Sequence, residues 1–213
     1  MLPKELLAKT KIYLGANGII IMRILKSFPV DSKKSEAVSK MADMAIVEFS
    51  YPWHFDSIEL HLRDQEKIVI EGSRCIIVMD YNNFFVRHMD DRGIRIMIMR
   101  SLFKASMELT GELPAEIEDI ICNRKMIKAG FSDDIVYYYF QRKSEARTPI
   151  EELQRDVGWL SFCGLDSYNM QLLKKENRYP QTGKLIECLK GELSPERLGH
   201  AKRLYLDLVS ECR

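Results

Sequence analysis

The densest grouping of chemistry-bearing side chains in this sequence is Arg87-His88-Met89-Asp90-Asp91-Arg92, which leads into an apolar run from Gly93. A histidine beside carboxylates suits general acid–base work, because imidazole exchanges a proton near neutral pH while a carboxylate orients it. The position adds to the case. The spacing places these residues where a strand meets a helix, and the first turn of a helix exposes N–H groups without partners. A second acidic group follows at Glu116, Glu118 and Asp119, with Asn123 and Arg124 beyond it. Asp119 and Asn123 share a helical face at i and i+4. An enzyme of hydrolase type would therefore assemble His88, Asp90, Asp91 and Arg92 with Glu118 and Asp119. A plainer reading makes the same acids helix caps and partners of the helix dipole, and Asp133 and Asp134 face the same choice.

Other chemistries find less support. The histidines are His54, His61, His88 and His200, and no two lie within four residues of each other, so the paired spacing of a zinc site is missing. Cys75, Cys122, Cys163, Cys188 and Cys212 are odd in number and widely spaced, with no C-x-x-C, which argues for free thiols in a reducing compartment. The glycines fit neither a phosphate-binding loop nor a dinucleotide fingerprint, and no G-x-S-x-G elbow occurs. No metal and no cofactor is expected.

These residues need elements to position them. Ser32 or Asp31 caps a helix over 31–41, and Met44–Phe49 is apolar and β-prone, ending at Tyr51-Pro52-Trp53. Ile58, Leu60 and Leu62 alternate with Glu59, His61 and Arg63, the period of a half-buried strand that sends His61 to the surface. Lys67–Glu71 is the second strand of a hairpin, Cys75–Met79 reads as a central strand, and Phe84–Arg87 as a short last one. Connections this short favour antiparallel neighbours.

From residue 90 the pattern turns helical. Asp90-Asp91 caps a helix over 93–109 that is apolar round most of its girth, its polar residues Arg95, Arg100, Lys104 and Glu108 forming a narrow stripe. Pro114 opens the next helix and Gly130 ends it. Ser132 starts a third through Tyr137-Tyr138-Tyr139-Phe140, where at least one ring must bury. Thr148, Pro149 and Glu151 start a fourth, and helices follow near 166–175, 181–190 and 195–211. The expected fold is α+β: a mostly antiparallel sheet of three to five strands, then a largely helical C-terminal half. The expected division is a core domain over 1–145 and a helical extension over 146–213, with one domain over 1–213 as the alternative.

Bulk composition bounds the function. The 213 residues are 46% hydrophobic and 30% charged, with 32 basic and 31 acidic side chains. Such balance gives no electrostatic footprint for nucleic acid. The longest apolar run near the N-terminus, Ile19–Met22, is too short for a secretory signal, and no stretch approaches the length of a membrane span. A soluble cytoplasmic protein is expected.

One order of elements resembles a known superfamily. A β meander, a buried helix and then an acidic helix with Glu118-Asp119 and Asn123-Arg124 resembles the minimal core of zincin-like metalloproteases, over roughly residues 40–140. In that superfamily the buried helix carries H-E-x-x-H. Here it reads Ile94-Arg95-Ile96-Met97-Ile98-Met99-Arg100-Ser101-Leu102-Phe103, with neither histidine nor carboxylate. The resemblance thus implies a relative that has lost its zinc and acts without catalysis. The leading expectation is a protein that works by association, through its C-terminal helices or its aromatic helix, with a protein partner or with itself.

Overall fold

The structure, a computed structural model, describes residues 9–15, 18–26, 32–49, 55–63, 65–80, 90–109, 111–141, 148–158, 180–189 and 193–212. In chain order these form β1 (Lys9–Gly15), β2 (Gly18–Lys26), α1 (Ser32–Glu48), β3 (Ser57–Arg63), β4 (Lys67–Glu71), β5 (Arg74–Asp80), α2 (Asp91–Ser106) and α3 (Ala115–Lys128). Helices α4 (Ser132–Gln141), α5 (Pro149–Gly158), α6 (Pro180–Leu189) and α7 (Pro195–Glu211) complete the series. Two compact units result: Met1–Glu112 with Ser132–Gln141, and Leu113–Phe131 with Arg142–Arg213. The expected strand at 84–87 and helix at 166–175 lie outside the described residues.

The first unit is α+β, but its sheet is mixed, in the order β1-β2-β3-β5-β4, not mostly antiparallel. β1 and β2 are antiparallel, with Gly15 opposite Gly18. β2 and β5 both run parallel to β3, and β4 closes the edge antiparallel to β5. β3 and β4 are therefore not a hairpin. The tight hairpin is β4–β5, where Gly72 supplies φ 60 at the first central position of a two-residue turn, as a type II′ connection requires. Skipping one strand position needs only about 10 Å, twice the strand spacing, and the three residues between β3 and β4 reach that far.

β3 and β5 each have a neighbour on both sides. Ile58, Leu60, Cys75, Ile77 and Met79 bury one face of them completely. Helix α2 packs on β4, β5 and α1, and it buries Ile96, Ile98, Met99, Leu102 and Phe103. The β-prone run at 44–49 is the end of α1, not a strand. Val38, Met41, Ala42, Ala45, Ile46 and Phe49 are buried at helical spacing, and Phe49 meets Phe103 edge-on with ring centres 4.9 Å apart. Packing against α2 outweighs the local preference for strand. Two residues of the polar stripe of α2 are covered as well. Arg100 and Lys104 are buried, with Lys104 Nζ 3.7 Å from Glu66.

The second unit's described residues are helical. Ile117 and Ile120 of α3, Leu153 and Val157 of α5, Leu185 and Leu189 of α6, and Leu204, Tyr205 and Leu208 of α7 form one buried cluster. The caps follow the sequence. Thr148 and Glu151 form a reciprocal capping box at 3.1 and 3.2 Å, and Ser194 accepts from the Arg197 N–H ahead of Pro195.

Candidate functional site

At the start of α2 the structure shows what Asp90 does. Its Oδ1 accepts the Gly93 N–H at 2.8 Å, so it is the N-cap of the helix. Its Oδ2 accepts the hydroxyl of Tyr137. These bonds, the Tyr137 hydroxyl first, hold the Asp90 carboxyl below its usual range, with burial opposing. Asp91 is exposed in the first turn, where an acid suits the helix dipole. Arg92 is 4.4 Å from the ring centre of Tyr137 and pairs with Asp134 at 2.8 Å. Asp134 also accepts from Arg95 at 2.6 Å, and Arg95 pairs in turn with Glu48 at the end of α1. His88 lies outside the described residues.

The acidic helix belongs to the second unit. On α3, Glu118 and Asn123 are buried and Asp119 is half-buried. The sequence candidates are therefore divided, Asp90, Asp91 and Arg92 in one unit and Glu118 and Asp119 in the other.

A cluster that sequence reading sent to the surface is the most developed of the described residues. Glu59 on β3 is only 4% exposed. Arg74, at the head of β5, grips it with both ends of its fork, Nε to Oε1 at 3.1 Å and Nη2 to Oε2 at 2.8 Å. Arg74 also reaches Glu71 across the hairpin at 3.0 Å. His61 Nε2 stands 3.1 Å from Glu59 Oε2, with its ring largely covered. The Arg74 fork holds the Glu59 carboxyl below the usual carboxylate range, with burial opposing and His61 assisting. An N–H on Nε2 donates to Glu59 and leaves Nδ1 as the basic nitrogen, which is how a carboxylate orients a catalytic imidazole. The fork, however, occupies both carboxylate oxygens and makes Glu59 a poor base.

The missed signal was topological. A strand with neighbours on both sides can bury both faces, so a carboxylate on its second face must find a cation. Arg74 stands in register with Ser57, two residues from Glu59.

Among the described residues, no group of three or more His, Cys, Asp or Glu side chains could hold a metal ion. Cys75 is buried, and burial pushes its thiol up to about 12, so it is no nucleophile at neutral pH. Cys122 and Cys188 are also buried, and neither forms a disulfide among the described residues. Among the described residues, no helix is long and apolar enough to cross a membrane. No protein-family model, curated protein or solved structure matches the chain.

Proposed function

We propose that this protein acts by binding another polypeptide and not by catalysis. One observation carries the reading. Helix α1 turns Val47, 75% exposed, and Met44, 41% exposed, to solvent at i and i+3, while the opposite face of the helix is buried. Exposed Glu36 and Lys40 continue the same stripe. An apolar pair with charges beside it has the make-up of a small interface, an apolar centre with a polar margin. The described acids support the reading from the other side. Asp90, Asp134 and Glu59 each hold structure through hydrogen bonds or ion pairs, which leaves them ill suited to proton transfer.

The reading accommodates descent from a zincin-like core, although β3, β4 and β5 form no meander. In this proposal α2 is the superfamily's buried helix, now lined with Ile96, Met97, Ile98 and Met99.

The test is the double variant Met44→Glu/Val47→Glu. Both side chains face water, so the variant is expected to keep its circular dichroism and its thermal midpoint. Association of the wild type, measured by sedimentation velocity and by partner recovery after cross-linking, should be lost in the variant. Equal association in both proteins would refute the surface. A wild type that stays monomeric and recovers no partner would refute the function.

The short contact between His61 and Glu59 favours a second reading, an acid–base site on the sheet. Loss of a hydrolytic activity in His61→Asn with unchanged stability would support it, and unchanged turnover would dismiss it.

A further inference from the structure

Strand β4 is one edge of the five-stranded sheet. Among the described residues it makes no backbone hydrogen bond beyond its ladder with β5. The two-residue turn between the two strands decides which groups point outward. Glu71 and Arg74 flank that turn as its hydrogen-bonded closing pair, and such pairs alternate along an antiparallel ladder. Glu71, Val69 and Lys67 therefore bond to β5, whereas Ile68 and Ile70 direct their N–H and C=O groups away from it. An edge of this kind accepts another strand unless something on it forbids pairing, and charges of one sign are a common guard. Here the strand reads Lys67-Ile68-Val69-Ile70-Glu71, with opposite signs at its two ends and apolar side chains between. Lys67 and Glu71 are both exposed, and strand alternation puts them on the same face.

We propose that two copies of the chain join their sheets edge to edge through β4, antiparallel about a twofold axis at Val69. The sequence of the strand is complementary to itself in that register, as a twofold interface requires. Ile68 of each copy stands opposite Ile70 of the other, and each such pair exchanges both of its hydrogen bonds. Lys67 of each copy faces Glu71 of the other. Those charges fall at the non-hydrogen-bonded positions, where side chains approach most closely and opposite signs stabilise the pair. Glu71 already accepts from Arg74 at 3.0 Å, and the second copy's lysine adds a further cation to it. No other antiparallel register pairs both outward residues and both charges. A ladder this short is weak, so the dimer forms in concentrated solution. The proposal is independent of the Met44–Val47 surface, which is tested in dilute solution, and Met44→Glu/Val47→Glu should leave this dimer intact.

The experiment follows the full chain by NMR from dilute solution to roughly millimolar protein, reading translational diffusion and residue-resolved amide exchange. Diffusion should slow toward that of a dimer. Over the same range the Ile68 and Ile70 amides should gain protection, and the Lys67, Val69 and Glu71 amides, already bonded to β5, should change least. Lys67→Glu and Glu71→Lys each set like charges opposite one another, so either variant alone should dimerise ~10-fold more weakly or worse. An equal mixture of the two should recover the dimer, since each reversed charge then meets its complement. Should either variant lose its circular dichroism, Ile70→Pro replaces it, because it removes one outward N–H and no bond to β5. A wild type that stays monomeric throughout would overturn the proposal. So would folded single variants that dimerise as well as wild type, or protection that appears elsewhere and not at Ile68 and Ile70.

Discussion

The two units are held together by different chemistry. The first places charge in or beside its interior: Glu59, Arg100 and Lys104 are buried, and Asp134 ties α4 to Arg92 and Arg95. The second buries Glu118, Asn123 and Thr182, yet its helices meet through a cluster of Ile, Leu and Val side chains. The contrast has a physical consequence. Apolar burial is nearly indifferent to pH and weakly sensitive to salt, whereas ion pairs respond to both. The pairs of Glu59 and of Asp134 should therefore respond to pH and salt, whereas the apolar cluster around Leu208 should be indifferent to both.

The largest effect belongs to the second unit. Leu208 is fully buried in the cluster, and Leu208→Ala should cost about 2–5 kcal/mol in denaturant unfolding. That loss should be the same at low and high salt. Glu59→Gln comes next, at about 1.5–3 kcal/mol, the worth of hydrogen bonds to a charged group. Its sign with pH is fixed. The folded carboxyl lies below its unfolded value, so the wild type's advantage is complete above the unfolded pKa and fades as pH falls through the folded one. Unfolding curves of the two proteins should converge in acid. An equal gap at every pH would mean that Glu59 contributes shape and not charge.

Asp134→Asn should cost about 1–2 kcal/mol, because solvent screens the pair with Arg92, 44% exposed, while the pair with Arg95, 17% exposed, is largely covered. The cost should shrink in high salt, the reverse of the indifference expected for Leu208→Ala. The smallest effect sharpens the comparison on matched backbone. α2 and α3 end alike: Leu109 N–H reaches the Lys104 carbonyl, and Phe131 N–H reaches the Met126 carbonyl, each at 3.0 Å. The left-handed residue of this motif is Gly130 in one and Glu108, at φ 55, in the other. Glu108→Gly should gain about 0.5–1 kcal/mol, and Gly130→Ala should lose about 1 kcal/mol. Thermal melts of the two variants should shift in opposite directions.

The helices of this protein are legible where a cap marks them. Asp90, Thr148 with Glu151, and Ser194 each stand where a helix begins, because orphaned N–H groups demand a partner at a fixed offset, and Pro114 marks the start of α3 by its fixed φ without a capping bond. The end of α1 is less legible. Met44-Ala45-Ile46-Val47 looks like a strand in isolation, and only contact with α2 shows that Ala45, Ile46 and Phe49 continue a helical face begun at Val38. Strand pairing was legible least of all. The two links that flank β4 are both short, yet one joins hydrogen-bonded neighbours and the other passes over a strand. Loop length bounds reach and does not choose a partner.

The site follows the same logic. Asp90 as a cap could be read from its offset to Gly93. The involvement of Tyr137, 47 residues away, could not. Nor could Glu59 with Arg74, because the alternation that marks β3 as a strand says nothing about what covers its second face.

As proposed, Glu59 and Asp90 serve structure and do not transfer protons, and a carbon-13 NMR titration of side-chain carboxyls tests this most directly. Glu59 and Asp90 should both titrate below the ordinary values of about 4.3 and 3.9, as carboxylates held by a guanidinium fork and by a hydroxyl with a capped N–H. Either group titrating near neutrality, where a general acid works, would contradict the claim and return the protein to the enzymes.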